Sequence, residues 1–166
     1  MNAVVRGLAI AATVGMVWTG AAARVVQTSR LPVESVVRGA VLTQPFGCSA
    51  LVLEPFDPYC PTRHFHSGID LAAPEGTPVY AATAGHAVTG DDEKAAGLFV
   101  SVAVGSHVRI LYCHLQRALA TGDVTAGELI GNVGSSGLAT GPHLHFEIQV
   151  DGRSVDPARW LAAAWS

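Results

Sequence analysis

Two short stretches of this chain carry the residue types that do chemistry: His66-Ser67-Gly68-Ile69-Asp70 and, much later, His143-Leu144-His145. Together they offer two or three imidazoles and one carboxylate. That is the donor set of a catalytic zinc site, which takes three protein ligands and keeps a fourth position open. Taken alone, a His and an Asp four apart also fit a surface histidine beside a turn-forming aspartate. Two histidines two apart also fit a hydrogen-bonded pair. A third element, Tyr112-Cys113-His114-Leu115, adds another imidazole.

The elements that must position these groups come next. His143 to Val150 alternates polar and apolar residues, the period of a half-buried strand. Both imidazoles then project from one face with Glu147 and Gln149, while Leu144, Phe146, Ile148 and Val150 enter a core. Gly68 argues against a helix at the first motif, so His66 is placed at the end of a loop and Asp70 at the start of a strand. The same alternation along Ile110 to Leu115 puts His114 with Ile110 and Tyr112. It puts Cys113 on the other face with Leu111 and Leu115, as a small buried apolar residue.

The 166 residues suggest one globular domain, with 49% hydrophobic and 14% charged residues. A formal net charge of −3 excludes a nucleic-acid binder held by bulk basic charge. Residues 1–23 have the layout of a secretory signal peptide: Arg6, an uncharged stretch from Gly7, and small residues Ala21-Ala22-Ala23 before Arg24. Left uncleaved, the same segment would be a short membrane anchor. Either way the rest is exported, to periplasm, cell wall or medium. Cys48 and Cys60 flank an irregular, proline-bearing segment, and in an oxidising compartment a disulfide closing it is expected. Cys113 is left as a free thiol.

Residues 24–38 show no periodicity and read as a linker or lead-in, with the compact domain at 39–166. The 18 glycines and 9 prolines punctuate many short apolar runs. Strands are expected at Ala40–Thr43, Val79–Ala82, Gly85–Val88, Leu98–Val104, Val108–Leu115, between Gly127 and Gly131, and at His143–Val150. Gly134–Gly141 reads as a flexible Gly/Ser loop delivering His143. Pro157–Trp165 is the expected helix, with Asp156 as N-cap and Pro157 at its first position. The fold class is mostly β: antiparallel sheets with a metal site in a groove on one sheet face, and a short C-terminal helix.

Three blocks, His66 through Val79, Tyr112-Cys113-His114-Leu115, and Gly141-Pro142-His143-Leu144-His145-Phe146-Glu147, resemble the lysostaphin-type (LytM-like) zinc metallopeptidases, a family of peptidoglycan endopeptidases. The resemblance covers about Gly39 to Trp160. It implies one zinc ion per chain on His66, Asp70 and His145, with His114 and His143 as catalytic, non-ligand histidines. It implies peptidoglycan peptides as substrate, no nucleic acid, membrane contact only through an uncleaved N-terminal segment, and a monomer. A wall-binding or activator module of the same fold without turnover is the alternative. Family members of that kind lack several of the five residues, all present here. His64 is expected at the rim, and His86 and His107 away from the chemistry.

Overall fold

The computed structural model describes residues 30–163. They form strands β1 (Val41–Gln44), β2 (Gly47–Ser49), β3 (His64–His66), β4 (Ile69–Ala72), β5 (Pro78–Tyr80), β6 (Gly85–Asp92), β7 (Gly97–Val104), β8 (Val108–Cys113), β9 (Leu115–Ala118), β10 (Gly122–Val124), β11 (Leu129–Val133), β12 (His143–Val150) and β13 (Arg153–Val155). Helix α1 (Pro157–Ala162) follows. The main antiparallel sheet has the order β1-β4-β12-β8-β7-β6-β10, with β13 also paired to β12. A small sheet, β5-β11-β9, and a ribbon, β2-β3, complete the fold. The expected class, mostly antiparallel β with one short helix, is what the chain adopts.

The alternation in β12 does the work expected of it as far as Ile148, while Val150, expected in the core, is only half-buried at the strand's end. Leu144, Phe146 and Ile148 are fully buried, alongside Val100 and Val102 of β7 and Ile110 and Tyr112 of β8. Truncating an aromatic in such a place costs ~3–5 kcal/mol, so Phe146 anchors the strand that carries both later histidines. The buried Tyr112 hydroxyl accepts the Ala82 N–H at 2.8 Å, tying β8 to the segment just after β5. Burial pushes its pKa up, so it stays a neutral phenol.

The lead-in contributes to this core. Val36 and Val37 are fully buried, and Tyr80 N–H donates to the Val36 carbonyl at 2.9 Å. The Arg30 guanidinium lies 3.5 Å from the centre of the Trp160 ring. Two adjacent valines in a single 3-10 turn (Val33–Ser35) and its exit leave no period to detect. Asp156 caps α1 as expected, accepting from Ala158 N–H and Arg159 N–H at 3.0 and 3.3 Å. Residues 1–23 and Trp165 lie outside the described residues.

Candidate metal centre

β4, β12 and β8 lie side by side, and their register sets the site. β12 pairs Asp70 with His145 on one side and Cys113 with His145 on the other. Directly paired residues share a face. Asp70, His145 and Cys113 therefore face the groove together, as do Glu147 and Leu111. His66, at the end of the β2-β3 ribbon, closes over them. The structure brings His66, Asp70 and His145 together: His66 Nε2, Asp70 Oδ1 and His145 Nδ1 lie 3.0–3.1 Å from one another.

That triangle fits a small divalent ion. Zinc bonds to N and O of ~2.0–2.1 Å in tetrahedral geometry place ligand atoms ~3.3 Å apart. Orientation fits as well. His66 Nδ1–H donates to the Pro45 carbonyl at 2.9 Å, which leaves Nε2 as a lone-pair donor toward the triangle. Burial opposes ionisation of Asp70, but hydrogen bonds and charge from His145 and His66 win and hold its pKa well below the carboxylate range. Gly68 explains the glycine of the first motif. A Cβ there would meet the Phe146 carbonyl oxygen at 2.5 Å and His145 Cε1 and Nε2 at 2.9 Å, so only glycine lets the β3-β4 turn pass His145.

Glu147 backs the centre. Its Oε2 lies 3.7 Å from His145 Nε2 and accepts from Ser67 Oγ at 2.9 Å. Its Oε1 accepts from Gln149 Nε2 at 2.8 Å and Ser154 Oγ at 2.7 Å. Burial works against the charge, yet these partners bring its pKa down to about 2. The carboxylate faces Nε2, so it favours the proton there and leaves Nδ1 for an ion. Position 147 shares the face of His143 and His145 by alternation, and that alone pointed to it.

His114 reaches the site by a route that alternation misplaced. Its φ is +61°, a left-handed turn between β8 and β9 that is costly for a residue with a Cβ. The turn resets the strand's facing. Ile110 and Tyr112 are in the core, and Cys113 faces the groove beside His145 rather than the core, contrary to the expectation. Cys113 remains buried and free, outside the three-residue cluster. Burial pushes its thiol up to about 12, with the charges of Glu147 and Asp70 adding to the effect.

His114 and His143 stand together, ring centres 4.8 Å apart. His114 Nδ1–H donates to the Ser136 carbonyl and His143 Nδ1–H to the Gly141 carbonyl, both at 2.8 Å. Each is left with Nε2 free, and that of His143 is 3.7 Å from Asp70 Oδ1. Burial, together with the nearby His143 and His145, lowers the His114 pKa to about 4 despite the Ser136 bond, so its ring is neutral at physiological pH. The Gly/Ser loop that supplies Ser136 is pinned rather than free. Leu138 N–H donates to the Ala95 carbonyl, and Leu98 N–H donates to Ser136 Oγ, both at 2.9 Å.

The Cys48–Cys60 disulfide is present and closes the segment between β2 and β3. His64 Nδ1–H donates from the base of that loop to the Glu54 carbonyl at 2.8 Å. His86 pairs with Asp123 and His107 with Asp151 on exposed surfaces, as expected of residues away from the chemistry.

Three convergent donors, two flanking imidazoles with free Nε2 atoms and an open groove of about 320 Å³ have the form of a hydrolytic metal centre. The chain belongs to peptidase family M23, whose model matches residues 64–157. It is 43% identical over 101 residues to the DD-carboxypeptidase/endopeptidase Mpg of Neisseria meningitidis, covering 60% of this chain and 24% of that protein. To the peptidoglycan DD-endopeptidase ShyA of Vibrio cholerae it is 40% identical over 93 residues, covering 55% of this chain and 22% of the relative. The chain thus spans about a quarter of the length of these relatives. Among solved structures, a zinc-containing peptidase from Vibrio cholerae is similar with a TM-score of 0.63 and 31% identity, covering 79% of this chain and 39% of that one. The catalytic domain of lysostaphin from Staphylococcus simulans gives 0.61 and 28%, covering 74% and 92%.

Proposed function

We propose that this chain is a zinc-dependent endopeptidase that hydrolyses amide bonds in peptidoglycan stem peptides or their cross-bridges. The observation that carries the reading is the triangle of His66 Nε2, Asp70 Oδ1 and His145 Nδ1 with two non-ligand imidazoles beside it on a groove floor. Membership of family M23 and the names of the relatives support the substrate class. The complete set of five residues speaks against a module without turnover.

In this reading His66, Asp70 and His145 hold the ion. When bound, it supplies Lewis acidity toward a carbonyl oxygen and a water. The chain's own residues handle the protons. His114, kept neutral and anchored through Nδ1–H, presents Nε2 as an acceptor. His143, anchored on Gly141, presents its Nε2 from the neighbouring ring. One takes a proton from the attacking water, and the imidazolium so formed returns a proton to the leaving nitrogen. Either ring can also hydrogen-bond the oxygen on which negative charge develops.

We further propose that residues 1–23 direct export, that the domain acts as a monomer in the cell envelope or outside it, and that 39–166 is its catalytic part. Among the described residues no helix is long and apolar enough to cross a membrane. Mass spectrometry of products from purified muropeptides tests the activity. New amino groups with no new reducing sugar ends are expected. The reverse pattern would make the chemistry glycosidic and end the reading.

A further inference from the structure

The loop closed by Cys48–Cys60 lies outside the family-matched residues 64–157, yet it builds one wall of the groove with Leu51, Leu53, Glu54 and Pro55. Glu54 is the chemically pointed member. Its side chain is only 15% exposed, and its Oε1 lies 4.0 Å from His66 Nε2, so it stands beside the metal centre. A turn holds it there: Glu54 N–H donates to the Leu51 carbonyl at 3.1 Å, and His64 donates to the Glu54 carbonyl. Gln44 Nε2 donates both to Glu54 Oε1 at 2.7 Å and to Ser49 Oγ at 3.1 Å, which fixes the direction of the carboxylate.

The other groove carboxylates are engaged. Asp70 is shared by His66 and His145, and Glu147 accepts three hydrogen bonds. Glu54 has one donor, on Oε1, while Oε2 has none among the described residues. No Lys or Arg among the described residues lines the groove. The free oxygen Oε2 of this carboxylate, with no Lys or Arg side chain beside it to neutralise it, is complementary to an ammonium group and repels a carboxylate. With a formal charge of −3 over the chain, recognition of this kind has to be local.

We propose that Glu54 is a specificity-determining residue that selects peptides bearing a free ammonium group close to the scissile amide. This rests on the endopeptidase reading and names the substrate chemistry of the same groove. The loop supplies the carboxylate and the disulfide holds it in place.

The experiment compares kcat/KM of the zinc-loaded protein on cross-linked muropeptide dimers with native amines and on the same dimers after N-acetylation. A hydrogen bond to a charged group is worth about 10- to 100-fold, and wild type should prefer the native dimers by that factor. Glu54→Gln, which keeps the shape and the Gln44 contact, should bring the ratio close to one. Zinc affinity, measured in parallel by chelator competition, should stay within threefold. Equal rates on both dimers by wild type, or an unchanged ratio in Glu54→Gln, overturns the proposal. So does a fall in zinc affinity that tracks turnover, which would put the carboxylate at the metal. If wild type cuts neither dimer while holding zinc, the endopeptidase reading itself fails, and this inference fails with it.

Discussion

Replacing Glu147 by Gln tests whether His145 is a ligand set up by its neighbours. The carboxylate spans four partners: Ser67 Oγ and His145 Nε2 on one oxygen, Gln149 Nε2 and Ser154 Oγ on the other. Burial disfavours a charged His145, but Asp70 and Glu147 on either side of the ring raise its pKa to about 9 without metal. A carboxylate at Nε2 holds the proton on that nitrogen, so that a metal ion displaces only the proton on Nδ1, the atom facing Asp70 Oδ1 and His66. The Gln variant keeps its carbonyl oxygen for Gln149 and Ser154, so the fold should survive. Its NH₂ then points to Nε2 and asks for a lone pair there. The proton moves to Nδ1, the atom that should bind metal. Losing such an outer partner costs 10–100-fold in metal affinity, or about 1.4–2.7 kcal/mol. Chelator competition with zinc measures the affinity, and thermal unfolding by circular dichroism checks that the metal-free fold is intact. Zinc affinity within threefold of wild type in a folded Glu147→Gln would refute the tautomer argument.

His114→Ala and His143→Ala should each retain zinc and lose ~10²–10⁴-fold in turnover on muropeptides, and near-normal turnover in both would remove the proton-transfer scheme. Native protein should give no thiol label, even at pH 8.5, because Cys113 is 3% exposed with its thiol pushed up to about 12; denaturation without reductant should expose one thiol, and three would rule out the disulfide. Gly137→Ala should lower turnover more than zinc affinity, since φ is +67° and a Cβ would sit 2.3 Å from the Gly97 nitrogen, whereas Gly141→Ala, with open space around it, should behave as wild type in both assays. In the metal-free protein the depressed pKa of Glu147 means that the unfolded chain binds the extra proton between its ordinary value of 4.5 and about 2. Its stabilisation is complete above that window and lost as pH falls through it, so acid titration of Glu147→Gln should show a shallower loss there than wild type.

Much of the site was legible because strands report their facing in a period of two. Eight alternating residues in β12 placed His143, His145 and Glu147 on one face and Leu144, Phe146 and Ile148 in the core, and the structure agrees. Asp156-Pro157 announced a helix start through capping chemistry alone. Strands of three residues such as β10 and β13 are too short to show any period, and they form because the long neighbours β6 and β12 offer an edge to pair with. Cys113 was misplaced for a sharper reason. Counting by twos assumes an unbroken strand, and a left-handed histidine breaks it with no glycine to mark the spot.

That break also explains how two kinds of histidine share one floor. His145 stands on a regular strand among hydrogen-bonded neighbours, where register fixes its ring against Asp70. His114 sits at a strained junction and is held from outside, by its N–H on the Ala96 carbonyl and its ring on Ser136. Strain of ~1–3 kcal/mol persists only where the surroundings over-determine it. Here the surroundings are the Gly97–Gly137 contact, where the two backbones meet too closely for any side chain. In the proposed mechanism the ligand His145 thus depends on sheet register and the proton-handling His114 on a loop clamp. Damage to the clamp should spare the metal and cost the chemistry, which is why Gly137 and Gly68 are the two glycines whose loss would separate these functions.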